Sequence, residues 1–227
     1  MCKKLLISIS LLFFAGIAYC QKSDVGNWFM YFGNQKISDK FNWHNEVQYR
    51  NYNLIGDMRQ LLLRTGIGYN LTENNNNLLL GYGFINAQKY VGSSTQKIGS
   101  IEHRVYQQFI TKQQFGRIFL QHRYRVEERF LTNDFQMRLR YFLGLNIPIN
   151  QKTMSKGAVY ISAYNEVFLN GQNTVFDHNR LYGAVGYVAH KNFRFELGFM
   201  NQAMQNTYSN QFQVAVFNSL SLKKDSN

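Results

Sequence analysis

Cysteine is nearly absent. Cys2 and Cys20 are the only two in 227 residues, and proline occurs once, at Pro148. After Gln21 no apolar run approaches the ~20 residues that a membrane helix needs. Helical periodicity is missing as well. Together these absences exclude a disulfide scaffold, a cysteine-based metal site or nucleophile, and a helical membrane protein. No phosphate-binding glycine loop, EF-hand pattern or His-Glu-x-x-His motif occurs, so no catalytic residue, metal or cofactor is expected. Acidic residues are also scarce, 13 against 25 Lys and Arg, for a formal net charge of +12. A basic balance can signal nucleic acid. An exported chain seldom meets nucleic acid, and these charges are not gathered in a tail, so no nucleic-acid partner is expected.

What is present starts with an export signal. Lys3 and Lys4 precede an apolar run from Leu5 to Tyr19, with the small-residue end Ala18, Cys20 before Gln21. Residues 1–20 read as a signal peptide and 21–227 as one outer-membrane β-barrel domain. Lipidation at Cys20 is the alternative, although Tyr19 stands where a lipoprotein box wants a small residue. Losing Lys3 and Lys4 with the leader lowers the net charge to +10.

The remaining chain alternates. In "FNWHNEVQYR", Phe41, Trp43, Val47 and Tyr49 oppose Asn42, His44, Glu46, Gln48 and Arg50. "IFLQHRYRVEERF" sets Ile118, Leu120, Tyr124, Val126 and Phe130 against Phe119, Gln121, Arg123, Arg125, Glu127 and Arg129. "FRFELGF" sets Phe193, Phe195, Leu197 and Phe199 against Arg194 and Glu196. Period-2 alternation of this kind is a strand with two unlike faces. Eleven candidate strands follow, near 27–35, 40–52, 58–71, 77–88, 99–111, 115–130, 134–147, 157–169, 177–189, 192–202 and 210–222. Most exceed the ~9–11 residues that cross a bilayer at a tilt.

The expected fold is therefore all-β, an antiparallel transmembrane β-barrel of 10–12 strands. Single-chain bacterial barrels have even strand numbers, which favours ten or twelve over eleven. Connectors 72–76, 112–114, 148–156 and 190–191 suit the short periplasmic turns. Connectors 89–98, 131–133, 170–176 and 203–209 suit the longer outer loops.

Periodicity alone does not choose between a soluble barrel and a membrane barrel, which differ only in which face points inward. Strand length, the leader and the aromatic content of 16% favour the membrane. So does a mean hydropathy of −0.34 despite very apolar alternate faces. In a membrane, an arginine facing lipid at mid-depth costs ~2–4 kcal/mol, so the charged faces point into the lumen. Hairpin registers then place Glu102 opposite Arg123 or Arg125, Glu127 opposite Arg138 or Arg140, Glu166 opposite Arg180, and Glu46 opposite Arg64. With Arg104 these residues form an expected lumen network. It either fills and rigidifies a narrow barrel or lines a path for small anions.

His103 and His122 fall on the apolar face, and the same register sets them nearly opposite each other. Two facing imidazoles could serve a lipid-modifying enzyme, yet no serine nucleophile lies near them on that face; a polar pair near the membrane edge is the plainer reading. In "FDHNRLY", alternation sends Asp177 and His178 to opposite faces, which fits a loop-end hydrogen-bond cluster rather than a metal site. A surface scaffold acting through 89–98 and 170–176 is a third reading. Expected partners are outer-membrane lipid and small anions; the sequence leaves the oligomeric state open.

"NEVQYRNY", "RQLLLRTGIGYNL", "GYGF", "EHRVYQQF", "HRYRVEERF", "RLRYFLGLNIPI", "YNEVFLN", "FDHNRLYGAVGY" and "ELGFMNQ", in that order, resemble an exported bacterial family catalogued as domain of unknown function 2490. The resemblance covers roughly residues 24 to 222. It implies an outer-membrane β-barrel of a Gram-negative bacterium and carries no activity or catalytic residue.

Overall fold

The computed structural model describes residues 25–73, 75–172 and 174–223. The leader and its alternative, lipidation at Cys20, lie outside the described residues. The strands are β1 (Val25–Lys36), β2 (Phe41–Asn51), β3 (Met58–Asn70), β4 (Asn76–Tyr90), β5 (Lys97–Phe115) and β6 (Ile118–Leu131). After them come β7 (Asp134–Pro148), β8 (Val159–Asn170), β9 (Phe176–His190), β10 (Phe193–Met204) and β11 (Tyr208–Asn218). Each pairs antiparallel with the next, and β1 closes the barrel by pairing parallel with β11, Val25 opposite Asn210 through Gly33 opposite Asn218.

All eleven strands read from alternation are therefore present. The preference for an even count is corrected: "VGNWFMYFGNQK" is a full strand that pairs on both sides. A meander with an odd number of strands brings its first and last strands together parallel, so the two ends of the described chain lie at opposite rims. Even the shortest strands, 11 residues long, rise roughly 25 Å at a ~45° tilt, the height of an apolar membrane band.

One rim carries connectors 37–40, 71–75, 116–117, 149–158 and 191–192; the other carries 52–57, 91–96, 132–133, 171–175 and 205–207. The longest connector, 149–158, sits on the rim expected to have short turns. The expected length asymmetry between the rims is therefore absent. Residues 112–114 belong to β5, and the β5–β6 hairpin turns at Gly116 and Arg117, with Gly116 at a φ of 58° that favours glycine.

The two faces are polarised as alternation predicts. Outward residues are apolar and exposed, such as Leu197 (63%), Leu181 (62%) and Ile67 (51%). Aromatics collect at both rims, with Phe41 packed edge-on to Tyr69 at one and Phe130 tilted against Phe135 at the other. Inward residues are buried, and much of that interior is charged.

Candidate functional site: the charged lumen

Glu127 of β6 is the hub, with no exposed surface. Arg140 lies 2.5 Å from it, Arg138 3.3 Å, Arg64 and Arg125 3.4 Å each, and Arg104 3.7 Å. Arg64 belongs to β3 and is separated from β6 by two strands, so this contact reaches across the lumen. Three further carboxylates extend the lattice. Glu166 accepts from Arg140 and Arg123, both at 2.7 Å, and has Arg180 at 4.0 Å. Glu46 pairs with Arg64 at 3.0 Å. Glu102 binds Arg104 at 2.5 Å and Arg129 at 2.6 Å. Such pairs survive burial only where each charge is both paired and hydrogen-bonded, and sharing carboxylates between neighbouring guanidiniums meets that need.

Every expected lumen residue thus faces the lumen, and the registers Glu46–Arg64, Glu127–Arg138 and Glu166–Arg180 hold. The Glu102 register is corrected. Glu102 lies opposite Leu131, because the β5–β6 turn comes at Gly116 rather than at 112–114. The same shift separates the two histidines. His103 pairs with Phe130 and His122 with Thr111. His122 lies eight residues from Phe130 along β6, roughly 26 Å at the rise of a strand. Each histidine instead shares a hydrogen bond with a tyrosine on the outer face, His103 with Tyr82 at 2.5 Å and His122 with Tyr141 at 2.9 Å. Among the described residues no group of His, Cys, Asp and Glu could hold a metal ion.

Alternation did not reveal the aromatic plugs between the charges. Tyr106 is fully buried, with the Arg125 guanidinium 4.5 Å from its ring. Its ring fits because residue 81 is glycine: a Cβ there would lie 2.3 Å from Tyr106 Cζ. Phe168 is overlaid by Arg140 at 4.4 Å and Arg180 at 4.5 Å, and stacks on His178 at 3.8 Å. A separate apolar cluster of Trp28, Met30, Tyr182, Met200 and Ala215 fills the side made by β1 and β9–β11. The signal for it was in β1, which is apolar on both faces (Trp28, Met30 and Phe32 against Phe29 and Tyr31). That pattern belongs to a strand buried on both sides.

Two charged residues enter the lumen through β-bulges. Arg50 pairs with Gln60 and Asn51 with Met58, which leaves Arg59 as an extra residue in β3. Phe168 pairs with His178 and Leu169 with Phe176, which leaves Asp177 extra in β9. An extra residue re-aims its side chain. Asp177 accepts from Arg138 at 2.9 Å and contacts His178 at 3.1 Å, so the loop-end cluster is present, but the expectation of opposite faces is corrected, because the bulge turns both side chains inward. Arg59 lines a cavity of about 570 Å³ at the 52–57 rim, together with Trp28, Arg50, Gln60, Arg180 and Gln202. A second cavity of about 320 Å³, lined by Glu102 and several network arginines, shares Arg50, Gln60 and Arg180 with the first.

The rims carry their own ion pairs. At the 37–40 turn, Asp39 takes Lys36 at 2.8 Å and Lys223 at 2.9 Å; these bonds, that from Lys36 foremost, lower its carboxyl from the usual 3.8 to about 2. At the opposite rim burial works to raise the Asp57 carboxyl, but hydrogen bonds from Lys97 and Tyr90 outweigh it and hold the group below its ordinary value.

Residues 25–213 match the family described as "Protein of unknown function (DUF2490)". The chain belongs to this family. The match covers every strand but the end of β11, so it includes the whole charged lattice and the bulges at Arg59 and Asp177. No curated protein and no solved structure matches the chain.

Proposed function

We propose that this family member is an outer-membrane β-barrel that spans the bilayer as a closed, non-conducting cylinder, its Arg/Glu lattice serving mainly to fill and rigidify the lumen. The observation that carries the reading is inverted polarity: Leu197, Leu181 and Ile67 face outward while Glu127 and its five arginines are buried inside. In water this arrangement would leave an apolar exterior unpaired with anything; in lipid the exterior is solvated and the charges keep their partners. Bonds such as Arg64 to Glu127 cross the lumen where a pore would need open space.

The test is heat-modifiable gel migration of protein extracted from the outer-membrane fraction. The reading expects a compact band that shifts on boiling. Recovery in the soluble fraction, or a single band insensitive to heat, contradicts it. The lipid-modifying alternative drew on two facing imidazoles, which the register sets apart.

A further inference from the structure

The cavity of about 570 Å³ at the 52–57 rim has no carboxylate in its lining. Elsewhere in the lumen each cluster of arginines meets a glutamate. Here Arg50 and Arg59 have no ion pair among the described residues, and Arg180 only touches Glu166 at 4.0 Å.

Neutral amides hold these cations in place. Arg50 donates to Gln60 at 2.6 Å and through Nε to Gln48 at 3.0 Å, and Arg180 donates to Gln202 at 2.9 Å. Amide oxygens fix a guanidinium's orientation without cancelling its charge. Arg50 and Arg180 also share one ring, Trp28, at 3.8 and 5.0 Å from its centroid. Two like charges on one aromatic ring repel unless an anion joins them. Trp28 is buried and forms the wall on which both guanidiniums rest. The bulge that turns Arg59 inward adds a third cation to the same space.

We propose that this cavity binds a compact multivalent oxyanion, such as a phosphate-bearing small molecule. Arg50 and Arg180, held over the Trp28 ring, donate charge-assisted hydrogen bonds to its oxygens, and Arg59 closes the site from the rim. The volume is that of a small-ligand site. The inference rests on the closed-barrel reading, since an open pore would flood the cavity and screen its charge.

Trp28 and Trp43 are the only tryptophans. A Trp43→Phe protein, folded in detergent and checked for heat-modifiable migration, therefore reports from Trp28 alone. The probe is inorganic pyrophosphate, titrated at constant ionic strength against chloride. The expected result is a saturable change in Trp28 emission that chloride does not produce. Arg50→Gln and Arg59→Gln, made separately, weaken it, Arg50→Gln by about tenfold or more. Neither change strands a carboxylate, so both variants keep the fold. A heat-modifiable protein with no saturable response, or with a midpoint unchanged from the parent in both variants, overturns the site but leaves the barrel standing. Loss of heat-modifiable migration overturns the barrel, and the site with it.

Discussion

The two sides of the lumen are filled in opposite ways. The β2–β8 side, together with Asp177 and Arg180 of β9, is held by directional ion pairs centred on Glu127; opposite it, Trp28, Met30, Tyr182, Met200 and Ala215 of β1 and β9–β11 pack as an apolar cluster. A charged lattice is stable only when complete, because each buried guanidinium depends on a shared carboxylate. A packed apolar cluster loses stability gradually, in proportion to the volume removed. The barrel therefore has a brittle side and a forgiving one, and substitutions should separate them.

The largest effect is expected at the hub. Glu127→Ala leaves five arginines without their common carboxylate and should lower unfolding stability in detergent by about 3–5 kcal/mol. A loss no greater than that of an apolar truncation would erase the contrast. Met200→Ala, fully buried on the other side, should cost about 2 kcal/mol, near the low end for such a truncation, because the unbranched side chain leaves a modest cavity. Arg180→Ala, which removes a contact to Glu166 and a hydrogen bond to Gln202, should cost about 1–2 kcal/mol. Lys152→Ala in the exposed 149–158 connector should stay within about 0.5 kcal/mol, and equal thermal shifts for these two would contradict the β8–β9 register.

The smallest effect belongs to the rim. Asp39 has a carboxyl depressed in the folded state, so its pairing with Lys36 and Lys223 contributes fully above pH 3.8 and is lost as pH falls through about 2. Asp39→Asn should melt slightly below wild type at pH 5 and together with it below pH 2. A constant gap across that range would contradict the pairing.

Which face each strand turns inward was legible, because a closed barrel turns period-2 alternation into inside and outside, and the expected lumen residues lie inside. Registers set by short, recognisable turns, such as that behind Glu127–Arg138, were legible too. The Glu102 register was not, because "KQQFG" has the composition of a connector yet stays paired up to Phe115 opposite Ile118. Closure of β1 on β11 left no local trace, since no turn joins the first strand to the last. The bulges at Arg59 and Asp177 were hidden for a simpler reason: one extra residue is invisible to a pattern that counts by twos. Lys97, which reads as a loop residue, opens β5 and pairs with Asp57.

Single-channel recording in planar lipid bilayers tests the central claim most directly. With ion pairs crossing the lumen from Arg64 to Glu127, the wild-type barrel should insert and show no regular conductance steps, while Glu127→Ala opens intermittent ones. Stable, uniform steps from the wild type would contradict a lumen closed by its own charges.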